Sequence, residues 1–334
     1  MIDFKQIFSK FCSLESIVGD DNTYNVISLP GLKHKLGISK EHYPMFFVAT
    51  NSTQDNIPNT IRELLSVEYD IECTIKETTS SSLLSNFAII TLRTSDIHLQ
   101  SYFIEIFLMM LEKMAQQPSK QELSIEVERL VIIFSALTSA PRKKIQGLWA
   151  ELLVIEHSKE PNILINAWHS SVSSKYDFTL GKDKIEVKST SSEERIHRFS
   201  LDQLNPSPSS RLLIASMMVR ESGKCDQGLS IKDIYDHICK RLTNTEDKIR
   251  LYTIIAQTLG NSINKIDSVH FDYISALETL AYYDYKLIPR IQKNDVPAAI
   301  SEVKFVCNIT KIDDINSPNS SFDRSDSPLF NSIL

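Results

Sequence analysis

Up to about residue 95 the apolar positions recur with period two, the spacing of strands that bury one face. Residues 24–29 and 45–49 read as strands, and 65–75 alternates without a miss: Leu65, Val67, Tyr69, Ile71, Cys73 and Ile75 are apolar and their neighbours polar. Glu68, Asp70 and Glu72 then share its outer side, which suits an exposed sheet face or an edge kept soluble by charge. A Ser-rich turn over 79–82 leads into a further strand over 87–92. From Asp96 the period lengthens to that of a helix. Ile97, Tyr102, Ile104, Phe107, Leu108 and Leu111 mark a buried helix closed by Pro118, and 123–137 a second with Ile125, Leu130, Ile133 and Phe134 inward. Met109, Met110 and Met114 read as core filling. The pattern thus sets an N-terminal β-rich module (1–95) and connecting helices (96–140) before a core over 141–311.

Within that core, residues 148–155 are apolar all round except for Glu151, the mark of a buried helix. The run 211–219 is almost continuously apolar, as a central strand covered on both faces should be. Helices follow over 230–242 and Thr245–Leu259, the latter closed by Gly260, and strands over 280–287 and 303–309. Tyr282, Tyr283 and Tyr285 fit packing within a sheet better than stacking on bases. The tail over 312–334, rich in Ser, Asn, Asp and Pro, reads as disordered. This order predicts an α/β fold in which a central mixed sheet is flanked by helices.

Between those two apolar runs lies the stretch that carries chemistry. Residues 176–188 form two short strands joined at Gly181-Lys182, a Gly-first pair suited to a type II′ hairpin. That loop pairs Leu180 with Asp183 and Phe178 with Ile185, and sets Asp177 opposite Glu186. Alternation then puts Asp177, Glu186 and Lys188 on one face and Tyr176, Phe178, Ile185 and Val187 on the other. Adjacent carboxylates repel unless a cation lies between them, and hard divalent ions take oxygen ligands of this kind. A lysine two residues on can hold an attacking water or offset charge on a phosphate, so Asp with Glu-x-Lys is a phosphodiesterase constellation. The plain alternative is a solvated hairpin face with paired charges.

Two flanking segments bear on that choice. A carboxylate buried in the 148–155 helix needs a partner, which makes Glu151 either a metal ligand or one half of an ion pair with a lysine or arginine. Downstream, a short strand over 195–199 places Arg195, His197 and Phe199 on one face and Ile196 and Arg198 on the other, and Ser200 can cap a short helix carrying Gln203. His197 with Arg195 or Arg198 suits a phosphate contact; the alternative is a buried histidine with a satisfied hydrogen bond.

Asp177 followed by Glu186-Val187-Lys188 resembles the signature of the PD-(D/E)XK nuclease superfamily, although Tyr176 stands where a proline is usual. The ordered set Gly147-Leu148-Trp149-Ala150-Glu151-Leu152-Leu153, Asp177-Phe178, Glu186-Val187-Lys188-Ser189-Thr190, Ile196-His197-Arg198 and Gln203-Leu204 resembles one bacterial family of that superfamily, of otherwise unknown function and often linked to restriction-type defence gene clusters. The resemblance is strongest over 147–204. It implies a restriction-endonuclease-like fold in which Asp177, Glu186 and Glu151 hold Mg²⁺, or Mn²⁺ in its place, and Lys188 orients or activates water. His197 and Gln203 would support the site. The implied partners are DNA, a methyltransferase or ATPase from the same cluster, and a second copy of the chain. A non-cleaving nucleic-acid-binding or scaffolding subunit and an RNA-directed nuclease are the rival readings.

Composition narrows this only in part. The 334 residues, 42% hydrophobic and 23% charged, are those of an ordinary globular chain, and a net charge of −6 argues against a protein that coats nucleic acid. Basic residues nonetheless gather around the hairpin: Arg142-Lys143-Lys144 precede it, Lys182 and Lys184 flank its turn, and Arg195 and Arg198 follow. Cys12, Cys73, Cys225, Cys239 and Cys307 show neither CxxC spacing nor a disulfide framework. The N-terminus lacks the features of a secretory signal, and the apolar run over 102–111 is too short to span a bilayer, so a cytoplasmic protein is expected.

Overall fold

The computed structural model describes residues 3–17, 22–51, 57–62, 64–77, 82–137, 144–168, 174–223, 227–318 and 320–334. Arg142, Lys143, Cys225 and all of the 79–82 turn except Ser82 lie outside the described residues. The chain divides into two compact units, Met1–Ser139 and Ala140–Leu334. Among the described residues no helix is long and apolar enough to cross a membrane.

The first unit opens with helix α1 (Phe4–Cys12) and continues through strands β1 (Thr23–Ser28), β2 (Lys35–Ile38), β3 (Pro44–Val48), β4 (Thr60–Ile61), β5 (Leu65–Glu77) and β6 (Leu83–Leu92). Helices α2 (Ile97–Leu111) and α3 (Lys120–Ala136) complete it, so the segment expected to connect two modules packs with the strands. The strands run in the order β1-β2-β3-β6-β5-β4, and a second, parallel pairing of β1 with the end of β5 closes five of them into a ring. Val26, Met45, Phe47, Cys73, Ile75, Phe87 and Ile89 fill the ring. Gly37 belongs to this filling by its smallness: a Cβ there would stand 2.8 Å from the Phe47 ring and 2.9 Å from the Asn25 carbonyl oxygen. On the outer face, Phe46 packs edge-on against Phe103 and Phe107 of α2.

The unbroken alternation of β5 conceals a change of side. Val67 pairs with Ile90 but Ile71 pairs with Phe87, so one extra residue is accommodated between Glu68 and Ile71. Asp70 absorbs it at φ +57°, and its carboxylate accepts from Lys120 Nζ at 2.6 Å. Before this bulge the apolar side chains of β5 face outward from the ring; after it they face inward. Glu68, Asp70 and Glu72 are all exposed. Two helix details differ from expectation. Ile97, the first residue of α2, is exposed, and so is Ile125, because the buried stripe of α3 runs through Leu123, Val127, Leu130 and Phe134 and leaves Ile125 off it. Helix α2 ends at Leu111 rather than near Pro118, and Gln116 beyond it donates to the Gly31 carbonyl and accepts from the Lys33 N–H.

The second unit begins with helices α4 (Ile145–His157) and α5 (Pro161–Ala167) and strands β7 (Phe178–Leu180), β8 (Asp183–Thr190), β9 (Ile196–Ser200), β10 (Arg211–Met218) and β11 (Gly228–Ser230). It continues through α6 (Ile231–Arg241), α7 (Thr245–Leu259), β12 (His270–Asp272), α8 (Tyr273–Glu278), β13 (Ala281–Asp284), β14 (Lys304–Asn308) and α9 (Pro328–Ile333). Its main sheet has the order β13-β10-β8-β7: β8 and β10 are parallel in the middle, and antiparallel strands lie at both edges. This is the mixed α/β architecture expected, with helices against the sheet. The apolar run of β10 is central and buried, as its pattern requires. Strand β13 is shorter than the 280–287 run because the Asp284 carboxylate accepts the Lys286 N–H and turns the chain.

The tail departs most from expectation. Pro328–Ile333 is a helix capped by Ser327, and Leu329 and Phe330 are fully buried. Arg211 binds the segment before it through the Asp323 and Ser325 carbonyls and lies over the Phe330 ring. The polar composition of 312–327 hides an apolar anchor at its end, and that anchor supplies the burial a disordered tail lacks.

Candidate functional site

The hairpin forms in the expected register: Leu180 pairs with Asp183 and Phe178 with Ile185. Gly181 has φ +56° and Lys182 is not among the positive-φ residues, the signature of a type II′ turn. Asp177 lies one residue before β7, and its Oδ2 accepts the Val187 main-chain N–H at 2.8 Å. A main-chain N–H that the short edge strand does not reach is thereby satisfied, and the carboxylate is fixed beside the Glu186-Val187 peptide.

Glu186 is the centre of the arrangement. Its Oε1 accepts from Lys188 Nζ at 2.7 Å and also from the Gln203 amide. The Gln203 Oε1 in turn accepts the Ser200 N–H at 3.1 Å and lies 3.4 Å from Lys188 Nζ. The Ser200 cap is present, because its hydroxyl accepts the Gln203 N–H at 3.2 Å, but the residues after it form a turn rather than a short helix. Lys188 also lies over the Phe199 ring at 5.1 Å. Carboxylate, ammonium and amide are thus locked together at the edge of a core.

The alternative of a solvated hairpin face does not hold. Asp177 and Glu186 are 6% and 4% exposed. In the parallel register Glu186 stands beside Ile214, which belongs to a cluster with Tyr176, Phe199, Leu204 and Leu212. Tyr176 therefore lies on the Glu186 side. The reason is local: β7 starts only at Phe178, so strand alternation does not reach Tyr176. Its hydroxyl donates toward the Asp202 and Gln203 carbonyls, which secures the turn that presents Gln203. Burial pushes the Tyr176 phenol well above its ordinary pKa, and the Glu186 carboxylate adds to that.

Glu151 is buried, as the helix pattern required. Trp168 donates its indole N–H to Glu151 Oε2 at 2.8 Å, and the Trp168 ring stacks on Phe178. Phe178 pairs with Ile185, whose side chain points away from the Glu186 face, so Glu151 is held on the opposite side of the hairpin. Among the described residues no three His, Cys, Asp or Glu side chains gather closely enough to hold a metal ion. In this structure Glu151 does not complete a set with Asp177 and Glu186.

The cations separate into two groups. Lys182 and Arg198 are exposed, and Lys184 is half-buried with its ammonium over the Tyr176 ring. Arg195 turns inward instead: its guanidinium donates to the Ser216 carbonyl and hydroxyl and to the Thr279 carbonyl. The Ser216 carbonyl in β10 and the Thr279 carbonyl at the end of α8 both take their donor from this guanidinium, which turns it away from an outward contact with nucleic acid. His197 shares the same Ser216 hydroxyl at 2.7 Å and is buried. Burial, with Lys188 and Arg195 nearby, lowers its pKa to about 4, so at neutral pH it is an uncharged core side chain rather than a phosphate ligand.

Several supporting residues escaped the sequence reading. Trp168 follows Glu151 at a distance no helical spacing links, and Ser216 is one small polar residue in an apolar run. Asp183 accepts both arms of the Arg211 guanidinium, at 2.7 and 2.8 Å. An opposite-charge pair in a parallel register was the available signal there, since Asp183 stands directly beside Arg211.

No curated protein and no solved structure gives a significant match to the chain. A family profile described as "Putative PD-(D/E)XK family member, (DUF4420)" matches residues 26–310, a span that holds every residue of the site. The chain belongs to that family.

Proposed function

We propose that this protein is a metal-dependent phosphodiesterase acting on nucleic acid, namely a cytoplasmic DNA endonuclease working in a restriction or phage-defence system. The observation that carries the reading is the convergence of Lys188 and Gln203 on Glu186 beside Asp177. Two carboxylates kept almost wholly from water are costly unless they serve a cation or a reaction. The donor set fits a hard divalent ion: two carboxylates and the neighbouring Val187 carbonyl offer oxygen, and such ions take their remaining ligands from water and phosphate. When bound, that ion would polarise the scissile phosphate and lower the pKa of a coordinated water. Lys188 would orient that water or offset charge on the phosphate, and Gln203 would hold Glu186 in place. Exposed Lys182 and Arg198 are suited to the backbone on either side. Methyltransferase or ATPase partners and a homodimer are proposed on the family resemblance alone.

The Glu186 Oε1, already shared by two donors, favours a second reading, in which the protein binds or scaffolds nucleic acid without cutting it. Calorimetric titration of Mg²⁺ or Mn²⁺ into wild type and Asp177→Asn, beside a plasmid-nicking assay on both, separates the two. Binding and nicking that both vanish in the variant support the nuclease. No heat and no nicking with either protein would refute it and leave the scaffold.

A further inference from the structure

At one end of the closed ring the inward face ceases to be apolar. Ser66 on β5 stands opposite Thr91 on β6, and Thr91 stands opposite Met45 on β3. These three line the inner part of a cavity of about 710 Å³, within the range of sites for small ligands. Ser66 and Thr91 are only 8% and 7% exposed, and neither hydroxyl has a hydrogen-bond partner among the described residues. Both hydroxyls are reached from the cavity, where water or a group that enters can bond to them.

The remaining lining says what enters. Tyr24 and Tyr43 are its aromatic residues, and the Tyr24 ring is braced against Phe47 at 5.2 Å. Glu68, the next inward-facing residue of β5, adds a carboxylate that has no ion pair among the described residues. The wall bearing Tyr43 is fixed in advance: the Ser39 hydroxyl donates to the Glu41 carboxylate at 2.9 Å and accepts the Glu41 and Tyr43 N–H groups. Glu41 and Glu68 bring carboxylates that take N–H donors, and Lys40 and Arg93 in the same lining bring cations that suit the phosphates on either side of a bound base. Hydroxyls beside a carboxylate match the edge of a planar heterocycle, and aromatic walls match its faces.

We propose that this cavity receives a single unstacked nucleobase carrying an exocyclic amino group, that is cytosine, adenine or guanine, from a single or locally opened strand. The inference rests on the reading that the protein acts on nucleic acid, and it gives the first unit the task of inspecting a base. A base drawn from a duplex costs the stacking it leaves, which tyrosine rings can replace.

The test uses the full chain in EDTA, with fluorescence anisotropy of short labelled oligo-dC, oligo-dA and oligo-dT, single-stranded and in duplex. Oligo-dC or oligo-dA should bind more tightly than oligo-dT, and single strands more tightly than duplexes. Tyr43→Ala should weaken that binding about 5- to 150-fold, the range for loss of one stacked base, while Tyr43→Phe binds as wild type. Glu68→Gln should erase the preference over oligo-dT. Wild-type affinity in Tyr43→Ala and in Ser66→Ala/Thr91→Val, or no binding by any oligonucleotide, overturns the proposal. A wild type that binds and depends on Tyr43 but never nicks plasmid keeps the base pocket and removes the nuclease; nicking with pocket variants that bind normally removes only the pocket.

Discussion

His197 makes the stability of the second unit depend on pH in a calculable way. Its ordinary pKa of 6.5 falls to about 4 in the folded chain, first through burial and then through the Lys188 and Arg195 charges. A depressed histidine is neutral in the folded state, whereas the unfolded chain takes up a proton below its ordinary pKa. The stabilisation is therefore complete above pH 6.5 and is lost as pH falls toward 4. The full difference is about 3 kcal/mol, and roughly 2.5 kcal/mol of it should be gone by pH 4.5. Both tryptophans of the chain, Trp149 and Trp168, lie in this unit, so intrinsic fluorescence follows its unfolding without signal from the first. Urea titrations of wild type and His197→Gln at pH 7.5 and pH 4.5 give the number as a double difference. Glutamine can still reach the Ser216 hydroxyl but does not titrate, and carboxylate contributions cancel between the proteins. The variant should lose about 2.5 kcal/mol less on acidification. An equal loss in both proteins would refute the account of His197 as an uncharged core residue.

Other perturbations have equally definite outcomes. Lys188→Met should abolish plasmid nicking while circular dichroism and the urea midpoint stay close to wild type; loss of the fold would mean that the Lys188–Glu186 pair is structural only. Arg211→Lys removes the two-armed grip on Asp183 and should cost about 2 kcal/mol in urea titrations followed by tryptophan fluorescence; an unchanged midpoint would deny the pair any weight. Deleting residues 327–334 exposes the surface that Leu329 and Phe330 cover and should destabilise the second unit by about 3–6 kcal/mol, an upper estimate; a truncated chain as stable as the whole would show the helix to be dispensable. Gly37→Ala drives a Cβ into Phe47 and should cost about 1–3 kcal/mol in the first unit, read by calorimetry; an unchanged calorimetric transition would show that the position has room.

What could be read from the sequence was local. The hairpin register, the Gly181 turn, the buried helix around Glu151 and the central β10 follow from periods and turn chemistry that need only a few neighbouring residues. Misreadings arose where a distant partner decided the outcome. Arg195 is drawn inward by Ser216 and Thr279, and the 328–333 helix exists because β8 and α5 offer it a surface. Tyr176 was placed on the wrong side of the hairpin because a strand pattern was carried one turn beyond the strand. The acidic residues and the lysine were found by type and spacing, but which face they share with a core depends on the neighbouring strand β10.

The bulge at Asp70 has a consequence for how the first unit responds to damage. Because β5 changes sides there, one continuous strand belongs to two hydrophobic layers, the interior of the ring and the layer beneath α2. Neither layer can open at β5 without straining the strand on which the other depends. The two should behave as one cooperative block, with amide hydrogens on both halves of β5 exchanging through the same opening event. A local injury, such as a lost contact at Lys120 or crowding at Gly37, then becomes a debt on the whole unit.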